Sequence, residues 1–137
     1  MCILEVEMSQ LLQEIETLRK PMKELNDFIF DHPELGNEEF KAHELLTNLL
    51  EKEGYTVDRE VSGLKTAFRA VYHVNGGGPN IGLLCEYDAL EGLGHACGHN
   101  LQGPSICTAA IALKRTLQAP CTLVVYGTPA EETASGK

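Results

Sequence analysis

Two nearby residues in a glycine-rich stretch have the types and spacing of metal ligands. Cys97 and His99 are separated only by Gly98, so a thiolate and an imidazole can reach one ion from a short turn. The glycine allows the backbone to come close to that ion. The alternative is a reduced cysteine and a histidine that are simply neighbours in a loop. The triplet alone leaves both interpretations open.

Two adjacent carboxylates form a second candidate group. Glu131 and Glu132 follow an apolar segment that ends at Gly127. Adjacent carboxylates on a tight turn point in different directions, so one can bind a metal while the other takes a proton from water. A solvated acidic loop is the alternative for such a pair. Because the chain also contains Cys97 and His99, the pair favours a metal-dependent hydrolase.

The spacing of apolar residues predicts the elements that must position these groups. Steps of three and four residues indicate helices, and steps of two or short apolar runs indicate strands. The order is two helices, three strands, a helix and a strand, over residues 9–30, 38–53, 55–61, 66–72, 81–85, 105–117 and 122–126.

A helix between two apolar strands predicts a crossover and a parallel pair of strands, at residues 81–85 and 122–126. Since the first of these runs is apolar throughout, we expect it to be interior. Parallel strands end at the same edge of a sheet, where ligands usually bind. The predicted fold class is therefore α/β, with a mixed or mostly parallel sheet and flanking helices.

Several residues outside the two groups are expected to be structural. Pro21 should bend the first helix or start another, and Gly54 should end the second. Glu38 and Glu39 should begin the second helix. Acidic side chains in a first turn interact favourably with the helix dipole, so these two residues need no catalytic role. We expect His43 at the surface or boundary of that helix rather than at a metal.

Charge and cysteine usage bear on partners and compartment. The net charge of −9 argues against nucleic acid as a partner, because phosphate binding needs clustered lysines and arginines. Five cysteines at irregular spacing do not indicate a disulfide framework, so a reduced compartment is the simpler interpretation. The sequence has neither a secretory signal nor an apolar run of the roughly 20 residues that span a membrane. These observations predict a cytoplasmic protein with no membrane partner.

Three motifs, in order along the chain, resemble those of a known family. They are EYDAL at residues 86–90, GHACGHN at 94–100 and GTPAEE at 127–132. Together they resemble the aminoacylase and carboxypeptidase metallopeptidases, peptidase family M20, in the amidohydrolase and dipeptidase branch. Residues 31–55 and 63–72 are similar to that family's N-terminal helices and first strands. The sequences of these motifs most resemble those of one subgroup, which includes aminobenzoyl-glutamate hydrolase subunits and dipeptidases that act on basic dipeptides.

The resemblance implies a zinc-exopeptidase-like sheet and assigns roles to individual residues. Cys97, His99 and Glu132 would be ligands of a divalent metal, Zn²⁺ or Mn²⁺, and Glu131 would be the general base. Asp88 would orient a ligand. His95 and Asn100 would lie beside the site in structural roles. The implied activity is hydrolysis of the amide bond of dipeptides or N-acyl amino acids, with basic dipeptides preferred.

Members of this family are much longer than this chain, with a lid or dimerisation domain and further histidine ligands. Residues 1–137 are therefore expected to be the N-terminal part of a catalytic domain without that lid, and full-length members to form homodimers. The alternative is an inactive truncated chain that keeps the fold and binds at most a metal or a partner. A structural zinc protein is not favoured, because no second pair of closely spaced Cys and His residues is present.

Overall fold

A computed structural model of the chain describes residues 3–134, and side chains from residue 8 to residue 133. The helices and strands follow in chain order: α1 (Ile3–Asp31), α2 (Phe40–Lys52), β1 (Thr56–Arg59), β2 (Phe68–Val74), β3 (Asn80–Cys85), α3 (His99–Thr116), β4 (Cys121–Gly127) and α4 (Glu131–Ala134). A single 3₁₀ turn, Val61–Gly63, follows β1. The predicted order of elements is confirmed.

The four strands form one mixed sheet in the order β1-β2-β4-β3. β2 is antiparallel to both β1 and β4, while β3 and β4 are parallel. The predicted parallel pair is therefore confirmed, and of the two predicted sheet types the mixed one is right. β4 lies between β2 and β3 in the sheet and is buried along most of its length.

The prediction that β3 is interior is wrong. Within the described residues it lies at an edge of the sheet, with Ile81 40% exposed and Leu84 46% exposed. An apolar run indicates a strand, but it does not say whether another strand pairs on each side. Cys85, the last residue of β3, is fully buried, so the strand goes inward as it approaches its carboxyl end.

The helix α1 continues through Pro21 as one element, so no second helix starts there. Its side chains at Leu18 and Ile29 reach the core, whereas Leu12 and Phe28 on the predicted apolar face remain exposed. None of the helices in the described part of the chain combines the length and the apolar character needed to cross a membrane.

The helix α2 begins two residues later than predicted, and its end is as expected. Gly54, with φ of 87°, donates to the Glu51 carbonyl while Tyr55 donates to that of Leu50, which is a Schellman C-cap. The surface prediction for His43 is wrong, because its ring is buried edge-on against Phe68.

The helix α3 begins at His99, six residues before the predicted start at Ser105. Pro104 lies inside the helix, although a helix interior is an unfavourable position for proline. Contacts of the first turn stabilise it: the Asn100 side chain donates to Asn26 of α1 over 2.7 Å. This shift places a predicted metal ligand at the start of a helix rather than in a loop.

One hydrophobic core connects the sheet to the helices. It lies between α2, α3 and the sheet, and α1 packs mainly on α3. Its largest fully buried side chains include Leu46, Phe68, Tyr87, Ile111 and Leu123. The four cysteines among the described residues are free thiols, and Cys2 lies outside them.

Candidate metal centre

The carboxyl ends of β3 and β4 lie side by side, as parallel pairing requires. Cys85 is the register partner of Gly127, the last residue of β4. The Thr128 backbone N–H donates to the Cys85 carbonyl over 2.9 Å, and its hydroxyl donates to the same oxygen over 3.2 Å. The segments that carry the EYDAL and GTPAEE motifs therefore leave the sheet from one point.

The first turn of α3 brings the third segment to this edge. Gly98 precedes the helix with φ of 87°, a left-handed conformation that glycine adopts without strain. The Gln102 side chain then binds the end of β3: its oxygen accepts from the Glu86 N–H over 2.6 Å, and its amide donates to the Leu84 carbonyl over 3.2 Å. His99 is thereby fixed above the strand ends.

The His99 ring is surrounded by carboxylates on both of its nitrogens. Nδ1 lies 2.8 Å from Asp88 Oδ1. Nε2 lies 3.2 Å from Glu86 Oε2, 3.8 Å from Glu132 Oε1 and 3.9 Å from Glu131 Oε2. When Nδ1 carries the proton and donates a hydrogen bond to Asp88, the lone pair of Nε2 faces the three glutamates. That is the tautomer of a metal-binding histidine.

Two overlapping groups of side chains have the spacing of metal ligands. Cys97, His99 and Glu132 offer ligand atoms that all lie within 4.8 Å of one another, and so do Glu86, His99 and Glu131. The structure thus brings together the three residues predicted as ligands. It places Glu131, the predicted base, in the second group beside them.

Asp88 links the three residues of the first group. It is fully buried, and its Oδ2 accepts from the Glu132 N–H over 3.0 Å while Oδ1 faces His99. Its backbone carbonyl lies 3.6 Å from Cys97 Sγ, at hydrogen-bond distance for a thiol. Asp88 thus contacts each candidate ligand, two of them through its buried carboxylate and Cys97 through its backbone carbonyl, and such contacts restrict the orientation of the ligands.

Sequence reasoning missed Glu86, which lies nearest to His99 Nε2. Its side chain is largely buried. The available signal was its position: Glu86 is the first residue after β3, at the strand edge where ligands were expected. Only Asp88 was chosen from the EYDAL motif.

His95 and Asn100 belong to neither group among the described side chains. Asn100 joins α3 to α1 through Asn26, which is a structural contact. His95 is buried, and burial lowers its pKa, with His99 nearby adding to the effect and the Ile29 backbone opposing it. Both placements agree with structural roles beside the site.

The donor set fits a divalent cation. Glu86, Asp88, Glu131 and Glu132 supply four carboxylates, and the charge of one imidazolium cannot balance them all. Burial raises the pKa of the Cys97 thiol, and the Glu132 carboxylate acts in the same direction. Such clustered negative groups are usually paired or coordinate metals, and sulfur, nitrogen and carboxylate oxygen together suit Zn²⁺ and related ions.

Known proteins share this sequence and fold. A scan against protein-family models finds no match. The chain is 41% identical over 143 residues to a p-aminobenzoyl-glutamate hydrolase subunit of Escherichia coli, a match that covers 90% of this chain and 29% of that protein. It is 38% identical over 147 residues to Xaa-Arg dipeptidase of Mus musculus, covering 98% of this chain and 34% of the relative.

A solved structure agrees with these relatives. The Bacillus subtilis YXEP protein, described as a dinuclear metal binding peptidase of the M20 family, superposes with a TM-score of 0.75 and 27% identity. That match covers 85% of this chain and 36% of the other. The chain thus spans about a third of the length of these proteins. On sequence and fold together, it belongs to the M20 family of peptidases.

Proposed function

We propose that this chain forms part of a metal-dependent hydrolase that cleaves the amide bond of dipeptides or N-acyl amino acids. Cys97, His99 and Glu132 hold the divalent metal, Zn²⁺ or Mn²⁺. Glu131 is the general base. The observation that carries the proposal is the pair of ligand groups that share His99, whose Nδ1 faces the buried Asp88 at 2.8 Å.

The metal, when bound, supplies a more acidic water and a polarised amide carbonyl. Glu131 accepts the proton of the attacking water, whose oxygen forms a bond to the carbonyl carbon. The C–N bond then breaks, and the same carboxyl delivers the proton to the leaving amine. Asp88 holds His99 and the Glu132 backbone in place throughout, through contacts of 2.8 and 3.0 Å.

Glu86 adds a further ligand to this site. Its carboxylate lies in the group with His99 and Glu131, on the side of Nε2 away from Asp88. The Bacillus subtilis neighbour is described as dinuclear, which supports a role for a second group of ligands. We therefore include Glu86 among the metal-binding residues.

We propose basic dipeptides as the substrates. The mouse relative is named for dipeptides that end in arginine, and the chain carries a net charge of −9. A cleft beside the site is lined by the acidic side chains of Glu38, Glu91 and Glu132, which suit a cationic group. The Escherichia coli relative, named for aminobenzoyl-glutamate, provides the competing substrate.

The remaining features of the whole protein are proposals of the same kind. Residues 1–137 make up the N-terminal part of a catalytic domain and contain the proposed metal ligands. The complete protein acts as a homodimer in the cytoplasm. The share of the relatives that the chain covers, about a third, supports the assignment to part of a larger unit.

Metal content and turnover test the proposed function. We expect the purified chain, dialysed against Zn²⁺ or Mn²⁺, to retain metal by mass spectrometric analysis, and the Cys97→Ser, His99→Ala and Glu132→Gln variants to lose it. Hydrolysis is measured with an Xaa-Arg dipeptide, an N-acetyl amino acid and aminobenzoyl-glutamate. A chain that retains metal and hydrolyses none of the three is the inactive, metal-binding alternative. Absence of metal from the wild type would contradict the site.

The Glu131→Gln variant tests the base, in a longer chain from the same source if the shorter one is inactive. The amide cannot accept the proton, so turnover should fall by at least about a hundredfold. The metal held by Cys97, His99 and Glu132 should be retained, because Glu131 lies outside that group. Retained turnover would rule out Glu131 as the base.

A further inference from the structure

Glu39 is a buried carboxylate at the start of α2 whose contacts lie far away in sequence. It was expected in the first turn of α2, where an acid interacts favourably with the helix dipole, and that placement is wrong. The residue precedes the helix, makes no capping hydrogen bond, and its side chain is fully buried. The carboxylate of Glu34 instead accepts hydrogen bonds from the N–H groups of Lys41 and Ala42.

We propose that Glu39 is a positioning residue for the turn that carries Glu131 and Glu132. The inference rests on the proposed function, in which these two glutamates serve as base and metal ligand. Glu39 Oε1 accepts a hydrogen bond from the Ala130 N–H over 2.8 Å, across 91 residues of sequence. Oε2 accepts one from the Thr66 hydroxyl over 2.7 Å. Each oxygen of the buried carboxylate thus has a donor, as burial demands.

The backbone at Ala130 needs such a restraint. Its φ is +55°, in the left-handed region that a residue with a Cβ atom enters at a cost in free energy. The next residue is Glu131, so the direction of both glutamates depends on this one conformation. The hydrogen bond from Ala130 to Glu39 holds the strained residue at the point where β4 gives way to α4.

The turn before α2 contacts this loop at a second point. A Cβ atom added to Gly36 would lie 2.8 Å from the Ala130 Cα and 2.9 Å from the Thr133 hydroxyl oxygen. Since real Cβ atoms do not approach so closely, only glycine allows the two turns to pack together. Gly36 and Glu39 therefore restrain Ala130 from two positions of one turn.

The same turn also restrains the other strand end. The Ala89 N–H donates to the Glu34 carbonyl over 2.8 Å, and Ala89 follows Asp88 directly. Tyr87, on the other side of Asp88, donates its hydroxyl to the Thr66 carbonyl. Thr66 is in turn the hydroxyl partner of Glu39. A network centred on Glu39 and its turn therefore contacts both chain segments that supply carboxylates to His99.

Two variants of Glu39 and a matched control test the inference. Glu39→Ala removes both acceptors, so the affinity for Zn²⁺ should fall by about tenfold or more, as for other partners of metal ligands. Glu39→Gln keeps an oxygen for Ala130 while the Thr66 hydroxyl can turn to accept, so its affinity should stay within about threefold of the wild type. Glu44→Gln makes the same change at an exposed position of α2 and should have no effect.

Amide hydrogen exchange in the metal-free protein separates positioning from general loss of stability. In Glu39→Ala the Ala130 amide should exchange about tenfold faster or more, while that of Val125 in the central strand stays protected. Should Glu39→Ala fail to fold, Glu39→Asp replaces it, because the shorter side chain cannot reach both donors. Either wild-type zinc affinity or a wild-type exchange rate at Ala130 in Glu39→Ala or Glu39→Asp would overturn the inference, as would equal acceleration at Val125.

The two readouts distinguish failure of this inference from failure of the proposed function. If the wild type binds no Zn²⁺, the proposed metal site is wrong, and the exchange rate of the Ala130 amide alone decides whether Glu39 holds the turn. If the wild type binds Zn²⁺ and Glu39→Ala binds it equally well, the site stands and the role of Glu39 is refuted.

Discussion

At the scale of single residues, the site depends on one imidazole and the carboxylates around it. Asp88 is the residue that connects them, since one oxygen faces His99 Nδ1 at 2.8 Å and the other accepts from the Glu132 N–H at 3.0 Å. Both partners of Asp88 are donors, and a carboxylate has an acceptor for each. The orientation of the proposed metal ligands thus depends on a residue that does not need to touch the metal.

Asp88→Asn should therefore weaken metal binding while the fold persists. An amide has one acceptor oxygen, so either His99 or the Glu132 N–H loses its partner and faces an NH₂ donor instead. We expect metal affinity to fall about 10- to 100-fold, the usual effect of losing such a partner. Competition with a chelating dye measures it. Asp58→Asn, at an exposed position of β1, is the control, and unchanged affinity in Asp88→Asn would contradict the assigned role.

At the scale of elements, close backbone approach sets the position of the strand ends. Gly127 is paired with Phe68 across β4 and β2, and a Cβ atom on Gly127 would lie 2.1 Å from the Phe68 ring. The Phe68 ring stacks on that of Tyr87. In the sequence Tyr87 stands between Glu86 and Asp88, the two acidic residues of the EYDAL motif. Gly103 likewise allows α3 to approach the Glu86 carbonyl, which an added Cβ would meet at 2.9 Å.

Gly127→Ala should destabilise the protein, because the buried Phe68 ring would have to move. Overpacking of a core typically costs about 1–3 kcal/mol in the free energy of unfolding. The double variant Gly127→Ala/Phe68→Leu should recover part of this loss relative to the sum of the single changes, since leucine leaves room for the new methyl group. Urea unfolding of the wild type, Gly127→Ala, Phe68→Leu and the double variant measures the coupling between the two changes in unfolding free energy. Strictly additive losses would mean that the two side chains do not clash.

At the scale of the whole molecule, α3 is the element that joins the parts. Its Arg115 contacts Glu14 of α1 over 3.1 Å and Glu53, just after α2, over 2.8 Å. Tyr55, which precedes β1, donates its hydroxyl to the Ala110 carbonyl of α3 over 2.8 Å. The first turn of the same helix holds His99, so the packing of the helices and the geometry of the site are connected.

The buried His43 should make the stability of the whole molecule depend on pH. Burial lowers its pKa, and the positive charge of Arg59 acts in the same direction. The unfolded chain, with a histidine pKa near 6.5, then binds more protons than the folded one as the pH falls, so acid destabilises the fold. The loss begins as the pH falls through about 6.5 and levels off below the folded pKa.

Chemical unfolding at pH 7.5 and 5.5, with a chelator present, tests this dependence. The fall in unfolding free energy should be smaller in His43→Leu than in the wild type, by up to about 1.4 kcal/mol per pH unit below 6.5. His95 remains in the variant and shifts in the same direction, so the fall should not vanish. His32→Gln, at an exposed histidine, should behave as the wild type. An identical fall in His43→Leu would refute the role of His43.

The sequence alone determined the order of elements, the parallel pair and the ligand motifs. Local spacing carries this information: apolar periodicity identifies helices and strands, and a helix between apolar strands implies the crossover. The residues Cys97, His99, Glu131 and Glu132 could be chosen because their types and spacing suggest metal chemistry before any fold is known.

Only the tertiary structure decided which distant residues meet these ligands. Glu39 carries no local mark that separates it from surface glutamates, and only its position directly after β3 marks Glu86. Their contacts with Ala130, 91 residues away from Glu39, and with His99 exist only in the folded chain. The edge position of β3 and the early start of α3 likewise depend on neighbours from other parts of the chain. Spacing along the chain does not encode such contacts, because folding alone sets which buried groups satisfy one another's hydrogen bonds.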